Sequence, residues 1–204
     1  MKILQELVQF PYKKNLKNLH TIVLGRDYFY YNEIDSTQKE IWRRIDKNEI
    51  VNGCIIRAEK QTAGKGTHGR IWYTEENNIA FSLYVELQCN FSKIDGITTQ
   101  IAEIIVSIIE QMYNIKLEIK LPNDIYINGK KLGGILTETK VKGGVAKFLV
   151  VGIGMNNAQL EFSNELNDIA TSFKREFALE IDVEEFISSF CNIFESAILE
   201  RIAR

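Results

Sequence analysis

The stretch Gln61-Thr62-Ala63-Gly64-Lys65-Gly66-Thr67-His68-Gly69-Arg70-Ile71-Trp72 decides how the rest of the chain is read. Three glycines within six positions, interleaved with Lys65, His68 and Arg70, let the backbone turn several N–H groups toward one point beside fixed positive charge. That is the chemistry of an anion-binding loop. The spacing Gly64-x-Gly66-x-x-Gly69 also fits dinucleotide and kinase phosphate loops. A dinucleotide fingerprint must open a helix. Downstream, however, Ile79-Ala80-Phe81-Ser82-Leu83-Tyr84-Val85 is β-branched and aromatic and predicts a strand. The kinase version tolerates a strand, but no His-Arg-Asp, Asp-Phe-Gly or Ala-Pro-Glu follows. On spacing alone, a basic surface turn that binds nothing stays open beside the anion loop.

Working outward, Cys54-Ile55-Ile56 is a short apolar strand that delivers the chain into the loop. Upstream, Tyr28-Phe29-Tyr30-Tyr31 is strongly strand-forming and leads into Asp35-Ser36-Thr37-Gln38-Lys39-Glu40. Thr37 with Glu40 three residues on has the spacing of a capping box, so a helix is predicted through Ile41, Trp42 and Ile45. From Gly96 onward, Ile97, Ile101, Ile104, Ile105, Ile108 and Met112 recur at helical spacing and predict a core helix. Leu117 to Leu121 alternates as a strand, which Pro122-Asn123-Asp124 breaks. Asn128-Gly129 then signals a two-residue hairpin pairing Ile127 with Lys130, Tyr126 with Lys131 and Ile125 with Leu132. Asp124, Tyr126, Lys131 and Gly133 would share one face, opposite a core face of Ile125, Ile127 and Leu132. Gly133 and Gly134 leave room for something to lie against that first face. By itself the Asp124 and Lys131 pairing could equally be an exposed ion pair of little consequence.

After a turn at Lys142-Gly143-Gly144, Phe148-Leu149-Val150-Val151 is apolar on both faces and predicts a central, covered strand. It exits through Gly152-Ile153-Gly154-Met155-Asn156, small residues followed by a side-chain donor and acceptor. Near the C-terminus, Asp182 and Glu185 cap a helix with the apolar stripe Val183, Phe186, Ile187, Phe190, Phe194 and Ala197. Residues 1–25 are expected to be a peripheral segment, and residues 26–204 a single domain. Many strands joined by hairpins, with few helices, predict an α+β fold: a mixed, largely antiparallel sheet packed by helices.

Bulk properties narrow the function. A chain of 204 residues with 45% hydrophobic and 25% charged positions suits one soluble core. A net charge of -2 gives no reason to expect nucleic acid as an obligate partner. Cys54, Cys89 and Cys191 are odd in number and far apart, and only His20 and His68 accompany them, so neither a zinc site nor a disulfide framework is indicated. No apolar run reaches membrane-spanning length and no signal-type core opens the chain, so a cytoplasmic protein is expected.

Five motifs taken in order carry a family resemblance: Asp35-Ser36-Thr37, Gln61-x-Ala63-Gly64-Lys65-Gly66-x-x-Gly69-Arg70-x-Trp72, Lys120-x-Pro122-Asn123-Asp124, Lys131-Leu132-x-Gly134-Ile135-Leu136 and Gly152-x-Gly154-x-Asn156. From about Tyr28 to Arg204 the chain resembles the bacterial biotin protein ligases. The resemblance implies the class II synthetase-like fold of the biotin and lipoate ligase catalytic domain. It also implies an ATP-dependent enzyme that forms biotinyl-5'-adenylate and then passes biotin to a lysine of a biotin carboxyl carrier protein, typically that of acetyl-CoA carboxylase. Lys131, Lys65 and Arg70 would offset the charge built up where a carboxylate meets a phosphate. Ser36, Thr37, Gln38, Gln61, Lys65, Gly66, Thr67, Lys131, Gly133 and Gly134 would line the biotin site. Gly64, Gly69, Arg70, Trp72, Lys120, Asn123, Asp124 and Asn156 would line the ATP site. Asp124 is the expected ligand for Mg2+, being a carboxylate beside phosphate.

The chain departs from the family pattern in having Lys65 and Thr67 where arginines are usual, and Leu121 where tryptophan is usual. Lysine lacks the bidentate fork of arginine, so weaker retention of the adenylate is expected. The reading further implies a catalytic core without the DNA-binding domain of repressor-type members, a glycine-rich lid that is mobile when empty, and possible homodimers through a sheet edge. A lipoate or octanoate ligase or transferase of related fold and a non-catalytic biotin sensor are the competing readings.

Overall fold

A computed structural model describes residues 11–74 and 76–203. Among these, nine strands form one sheet. In chain order they are β1 (Tyr12–Lys14), β2 (Tyr28–Ile34), β3 (Ile55–Lys65), β4 (Ile71–Thr74), β5 (Ile79–Asn90), β6 (Glu118–Lys120), β7 (Asp124–Ile127), β8 (Lys130–Lys142) and β9 (Val145–Met155). The helices are α1 (Thr37–Asp46), α2 (Ile97–Tyr113), α3 (Phe173–Phe177) and α4 (Val183–Ala203). The strands lie in the order β1-β2-β3-β5-β9-β8-β7-β6, with β4 folded back on β3. Only β2 and β3 run parallel, and helix α1 makes the crossover between them. This is the mixed, largely antiparallel α+β sheet that strand and hairpin patterning predicted.

The alternation along β9 explains the two layers. Leu149, Val151 and Ile153 point into the larger core, which α2 and α4 cover with Ile101, Ile105, Phe186, Phe190 and Phe194. Phe148 and Val150 point the other way and join Ile41 of α1, Tyr31, Ile56, Ala58 and Tyr84 in a smaller core. Both faces of this strand are therefore buried at its first half. Continuing along the α1 face, the next two positions are Gly152 and Gly154, where the apolar filling stops.

Three local expectations need correction. Helix α1 is capped by Ser36, whose Oγ accepts from the Lys39 N–H at 3.5 Å, and not by Thr37. Glu40 does not reach back to the cap, because Arg43 Nε (2.8 Å), Arg44 Nε (3.0 Å) and the Tyr31 hydroxyl (3.0 Å) all donate to it. The hairpin pairs Ile127 with Lys130 and Tyr126 with Lys131 as predicted, but a bulge at Leu132 then pairs Ile125 with Gly133 and Asp124 with Gly134. The extra residue turns Gly133 to the core, where an added Cβ would sit 2.5 Å from Met155 Cγ, and gives Gly134 the face shared by Asp124 and Lys131.

The segment expected to be peripheral is integrated from residue 11 onward, while residues 1–10 lie outside the described residues. Leu16 and Leu24 belong to the main core. Glu195 of α4 accepts the N–H groups of Ile22 (2.6 Å), Val23 (2.9 Å) and Leu24 (2.8 Å). Three nitrogen donors aimed at one carboxylate fasten this segment more firmly than its mixed composition suggested. Two lysines of this segment are paired, Lys13 with Asp27 and Lys14 with Glu184. No helix among the described residues is long and apolar enough to cross a membrane.

Candidate active site

A cavity of about 380 Å³ occupies the α1 face of the sheet where the glycines begin. Its floor is two rows across three strands: Gly154 pairs with Gly134 and Ala80, and Gly152 pairs with Leu136 and Ser82. A Cβ at Gly154 would lie 2.5 Å from Trp72 Nε1, and one at Gly152 would lie 2.6 Å from Gln38 Oε1. The absence of side chains therefore lets the indole and the amide descend onto the backbone.

Polar groups gather at the α1 end. The buried Thr37 hydroxyl lies 2.9 Å from Ser82 Oγ and 3.2 Å from Gln61 Oε1, and the Thr37 N–H donates to that same oxygen at 2.8 Å. Gln61 Nε2 donates to Thr74 Oγ1 at 2.9 Å. Gln38 accepts from Ser82 Oγ at 2.9 Å and donates to Glu138 Oε2 at 3.0 Å. Buried donors and acceptors thus satisfy one another along a continuous chain. The opposite wall carries charge. Lys131 Nζ lies 2.7 Å from Asp124 Oδ1, with both side chains about a quarter exposed or less. Asn123 Nδ2 donates to the Ile135 carbonyl at 3.2 Å, which leaves its side-chain oxygen for the cavity. The Lys131 ammonium also stands 6.0 Å from the centre of the Trp72 ring.

The glycine-rich stretch is the β3–β4 hairpin, closed by a short 3-10 turn at Thr67–Gly69. Lys65, Gly66, Thr67, Arg70 and Trp72 line the cavity from it. Gly64 does not line it, because it lies against β4 where a Cβ would meet the Trp72 carbonyl at 2.3 Å. Gly69, at φ +75°, faces open space and serves the turn. Lys65 Nζ is held by Glu138 Oε1 at 2.5 Å, and Arg70 Nη2 donates to Thr67 Oγ1 at 2.7 Å.

Most of the residues singled out in the sequence therefore converge: Ser36, Thr37, Gln38, Gln61, Asn123, Asp124, Lys131, Gly134 and Asn156 line the same cavity as the hairpin. Gly133 and Lys120 stand outside it. Gly133 faces the core, and the Lys120 ammonium lies 5.1 Å over the Tyr126 ring. Asn156 is mostly engaged within the protein, donating from Nδ2 to the Thr171 carbonyl at 3.0 Å.

Two elements were not read from the sequence. The segment after β9 brings Phe162, Leu166, Ile169 and Ala170 to the cavity. It is tied to the hairpin by the Lys131 N–H donating to the Ile169 carbonyl at 2.8 Å and the Thr171 N–H donating to the Lys131 carbonyl at 2.9 Å. The apolar spacing at 162, 166 and 169 was the only available signal. The other is Glu138, which accepts from Lys65, Gln38 and Trp42 Nε1 (2.8 Å). Burial raises its carboxyl pKa, but those three donors outweigh burial and hold the group below its ordinary value.

Among the described residues no three His, Cys, Asp or Glu side chains stand close enough to hold a metal by themselves. Asp124 and the side-chain oxygen of Asn123, both lining the cavity, are oxygen donors of the kind that could share in holding a hard cation such as magnesium.

A polar floor of hydroxyls and amides faces a cationic wall across a glycine-cleared space. Such a cavity on an α+β sheet suits a small molecule with an amide-like end and an anionic end. The sequence profile of the biotin/lipoate A/B protein ligase family matches residues 30–156, and the chain belongs to that family. It is 36% identical over 180 residues to the bifunctional ligase/repressor BirA of Bacillus subtilis, covering 87% of this chain and 55% of the relative. With the biotin–[acetyl-CoA-carboxylase] ligase of Mycobacterium tuberculosis the identity is 28% over 151 residues, covering 67% and 51%. The chain spans about half the length of these relatives. The solved structure of the biotin protein ligase from Aquifex aeolicus in complex with biotin and ATP has a TM-score of 0.69 at 26% identity, covering 87% of this chain and 71% of that one.

Proposed function

We propose that the cavity binds biotin and ATP, joins them as biotinyl-5'-adenylate, and presents the product to a lysine of a biotin carboxyl carrier protein. The observation that carries this reading is the pairing of Lys131 with Asp124 across the cavity from the Thr37, Ser82 and Gln61 floor. A planar ureido ring, with two N–H donors and one carbonyl, fits that floor. Thr37 and Ser82 supply oxygens, and Gln61 Nε2 keeps a second N–H after bonding Thr74.

In the first step a carboxylate oxygen of biotin attacks the α-phosphorus of ATP, and the bond to pyrophosphate breaks. Two anions meet at that point, so Lys131, with Lys65 and Arg70 from the hairpin, offsets the charge building on the phosphoryl oxygens. Asp124 and Asn123 would hold a magnesium ion, which when bound neutralises the triphosphate. In the second step the carrier's amine attacks the acyl carbon, AMP leaves with the electron pair, and the amine loses its proton. Trp72, lying on Gly154, offers a flat face for adenine.

On this reading the setting is the cytoplasm, where free thiols suit Cys54, Cys89 and Cys191. A homodimer would form at a sheet edge, and nucleic acid is not among the ligands of this segment. Biotin-dependent exchange of labelled pyrophosphate into ATP tests the proposal. No exchange at saturating biotin overturns it, and exchange supported by octanoate or lipoate in place of biotin assigns the acyl-ligase alternative.

A further inference from the structure

Glu138 lies on β8 beyond the cavity floor, pairs with Val150 across the strands, and is reached from Thr37 only through two intervening side chains. We propose that Glu138 sets the donor and acceptor polarity of the floor, so that the floor accepts hydrogen bonds from a ligand's N–H groups and rejects ligands lacking them. This deepens the biotin reading and rests on it.

Proton positions fix the polarity. An ionised carboxylate can only accept. Gln38 must then turn its NH2 toward Glu138 Oε2 (3.0 Å), which fixes its oxygen toward Ser82 (2.9 Å). An amide oxygen also only accepts, so the single Ser82 hydroxyl proton is committed to Gln38. Thr37 Oγ1, 2.9 Å from Ser82 Oγ and 3.2 Å from Gln61 Oε1, has two acceptors for its one proton, and both belong to the protein. Gln61 Oε1 is itself fixed, because the Thr37 N–H donates to it and Gln61 Nε2 donates to Thr74.

Both hydroxyl protons in the chain are therefore spent within the protein. Thr37 and Ser82 are left with lone pairs toward the ligand and no hydrogen to offer it. Thr37, Gln38 and Ser82 are each at least 96% buried, so water does not rescue a wrongly oriented group. The acid side of the chain stays ionised because Lys65 and Trp42 also donate to Glu138. Glu138 acts through Gln38 and Ser82 and touches no ligand, so it is a positioning residue.

Glutamine at this position removes the constraint while keeping the volume. The new amide could donate to Gln38, whose own amide would flip and donate to Ser82, whose hydroxyl would turn to Thr37. Thr37 would then send its own proton to Gln61 Oε1 and accept from Ser82, so the reversed chain would take from the ligand a lone pair that Thr37 otherwise offers it. The readout is therefore a ratio: calorimetric affinity for biotin divided by that for each of the two cyclic carbamate analogues in which one ureido N–H is replaced by oxygen. Hydroxyls that can only accept should reject at least one analogue by about a hundredfold or more. In Glu138→Gln that ratio should fall by about tenfold or more, through weaker biotin binding, because an analogue lacking the N–H has no hydrogen bond to that lone pair to lose. Trp42→Phe removes a different donor to Glu138 without altering the chain, so its ratio should match the unmutated protein. Equal ratios in Glu138→Gln and the unmutated protein overturn the proposal, and so does an equal fall in Trp42→Phe, which would make Glu138 a brace only. Absence of biotin binding in the unmutated protein overturns the functional reading and this inference with it.

Discussion

Replacing Lys131 with alanine removes the one ammonium that stands on the cavity wall opposite the polar floor. Its backbone contacts survive the change, since the Lys131 N–H and carbonyl bond Ile169 and Thr171 whatever the side chain. The fold should therefore hold, and thermal unfolding should shift by no more than a few degrees. The electrostatic loss is large. A unit cation about 4 Å from a developing anion contributes about 4 kcal/mol at an effective dielectric of about 20. That corresponds to about a thousandfold in rate. Asp124, deprived of the ammonium that lay 2.7 Å away, adds repulsion toward the incoming phosphate and pushes the loss beyond that figure. The assay is biotin-dependent pyrophosphate exchange at saturating biotin and ATP, with calorimetric biotin binding alongside. Exchange should fall at least about a thousandfold while biotin affinity falls far less, because the charge builds up only as carboxylate and phosphate meet. Exchange within about threefold of the unmutated protein would refute the role given to Lys131 and the assignment of this wall to the phosphate.

The two adjacent glycines of β8 should separate fold from site. Gly133→Ala puts a Cβ 2.5 Å from Met155 Cγ and 2.8 Å from the Gly154 carbonyl, so it should destabilise by about 1–3 kcal/mol in denaturant unfolding. Gly134→Ala meets Asp124 Oδ1 at 3.5 Å and Lys131 Nζ at 3.7 Å, so the fold should tolerate it while ligand affinity falls; the reverse pattern would contradict the bulge at Leu132. Glu195→Gln can satisfy at most two of the three N–H groups of Ile22, Val23 and Leu24 and should cost about 2–4 kcal/mol; a loss under about 0.5 kcal/mol in the same measurement would show the clamp to be idle. Burial raises the Glu195 pKa but the three N–H donors lower it further, so the folded value lies below the ordinary 4.5. The stabilisation is therefore fully present above pH 4.5 and is lost as pH falls through the folded value, a dependence that Glu195→Gln should flatten.

What was legible in the sequence is what depends on near neighbours along the chain. The period of Ile97 to Met112 gave α2, Asn128-Gly129 gave the hairpin turn, and two-sided apolarity at Phe148 to Val151 gave the central strand. Asp124 and Lys131 could be placed together because both sit within one turn of that hairpin. The bulge that exchanged Gly133 for Gly134 was not legible, since it follows from β8 having to satisfy β9 and β7 at once. The cap moved to Ser36 for a similar reason: Gln61, 24 residues away, claims both the N–H and the hydroxyl of Thr37. Glu138 lies 100 residues from Gln38 and 73 from Lys65, and no local pattern connects them.

The same partnerships change the meaning of the cationic loop. Counted in the sequence, Lys65, Arg70 and Lys131 are three positive charges awaiting an anion. Folded, each already has an acceptor: Glu138 for Lys65, Thr67 for Arg70 and Asp124 for Lys131. An arriving phosphate therefore does not meet three bare cations; it must exchange with acceptors already in place, and the cost differs at each. Arg70 gives up a neutral hydroxyl on an exposed turn, the weakest of the three partners. Lys131 gives up a carboxylate that can turn to a phosphate-bound cation. Lys65 gives up a carboxylate that Gln38 and Trp42 also hold in place and that is itself kept ionised by burial-resisting donors. On the proposed reading Arg70 is thus the charge most easily recruited, Lys131 the one recruited together with a metal, and Lys65 the one that acts on the phosphate while still held by Glu138. The lysine where arginine is usual then makes chemical sense: one ammonium satisfies one carboxylate oxygen, and the bidentate fork of arginine would have no second acceptor to fill at Glu138, whose other oxygen serves the polar floor.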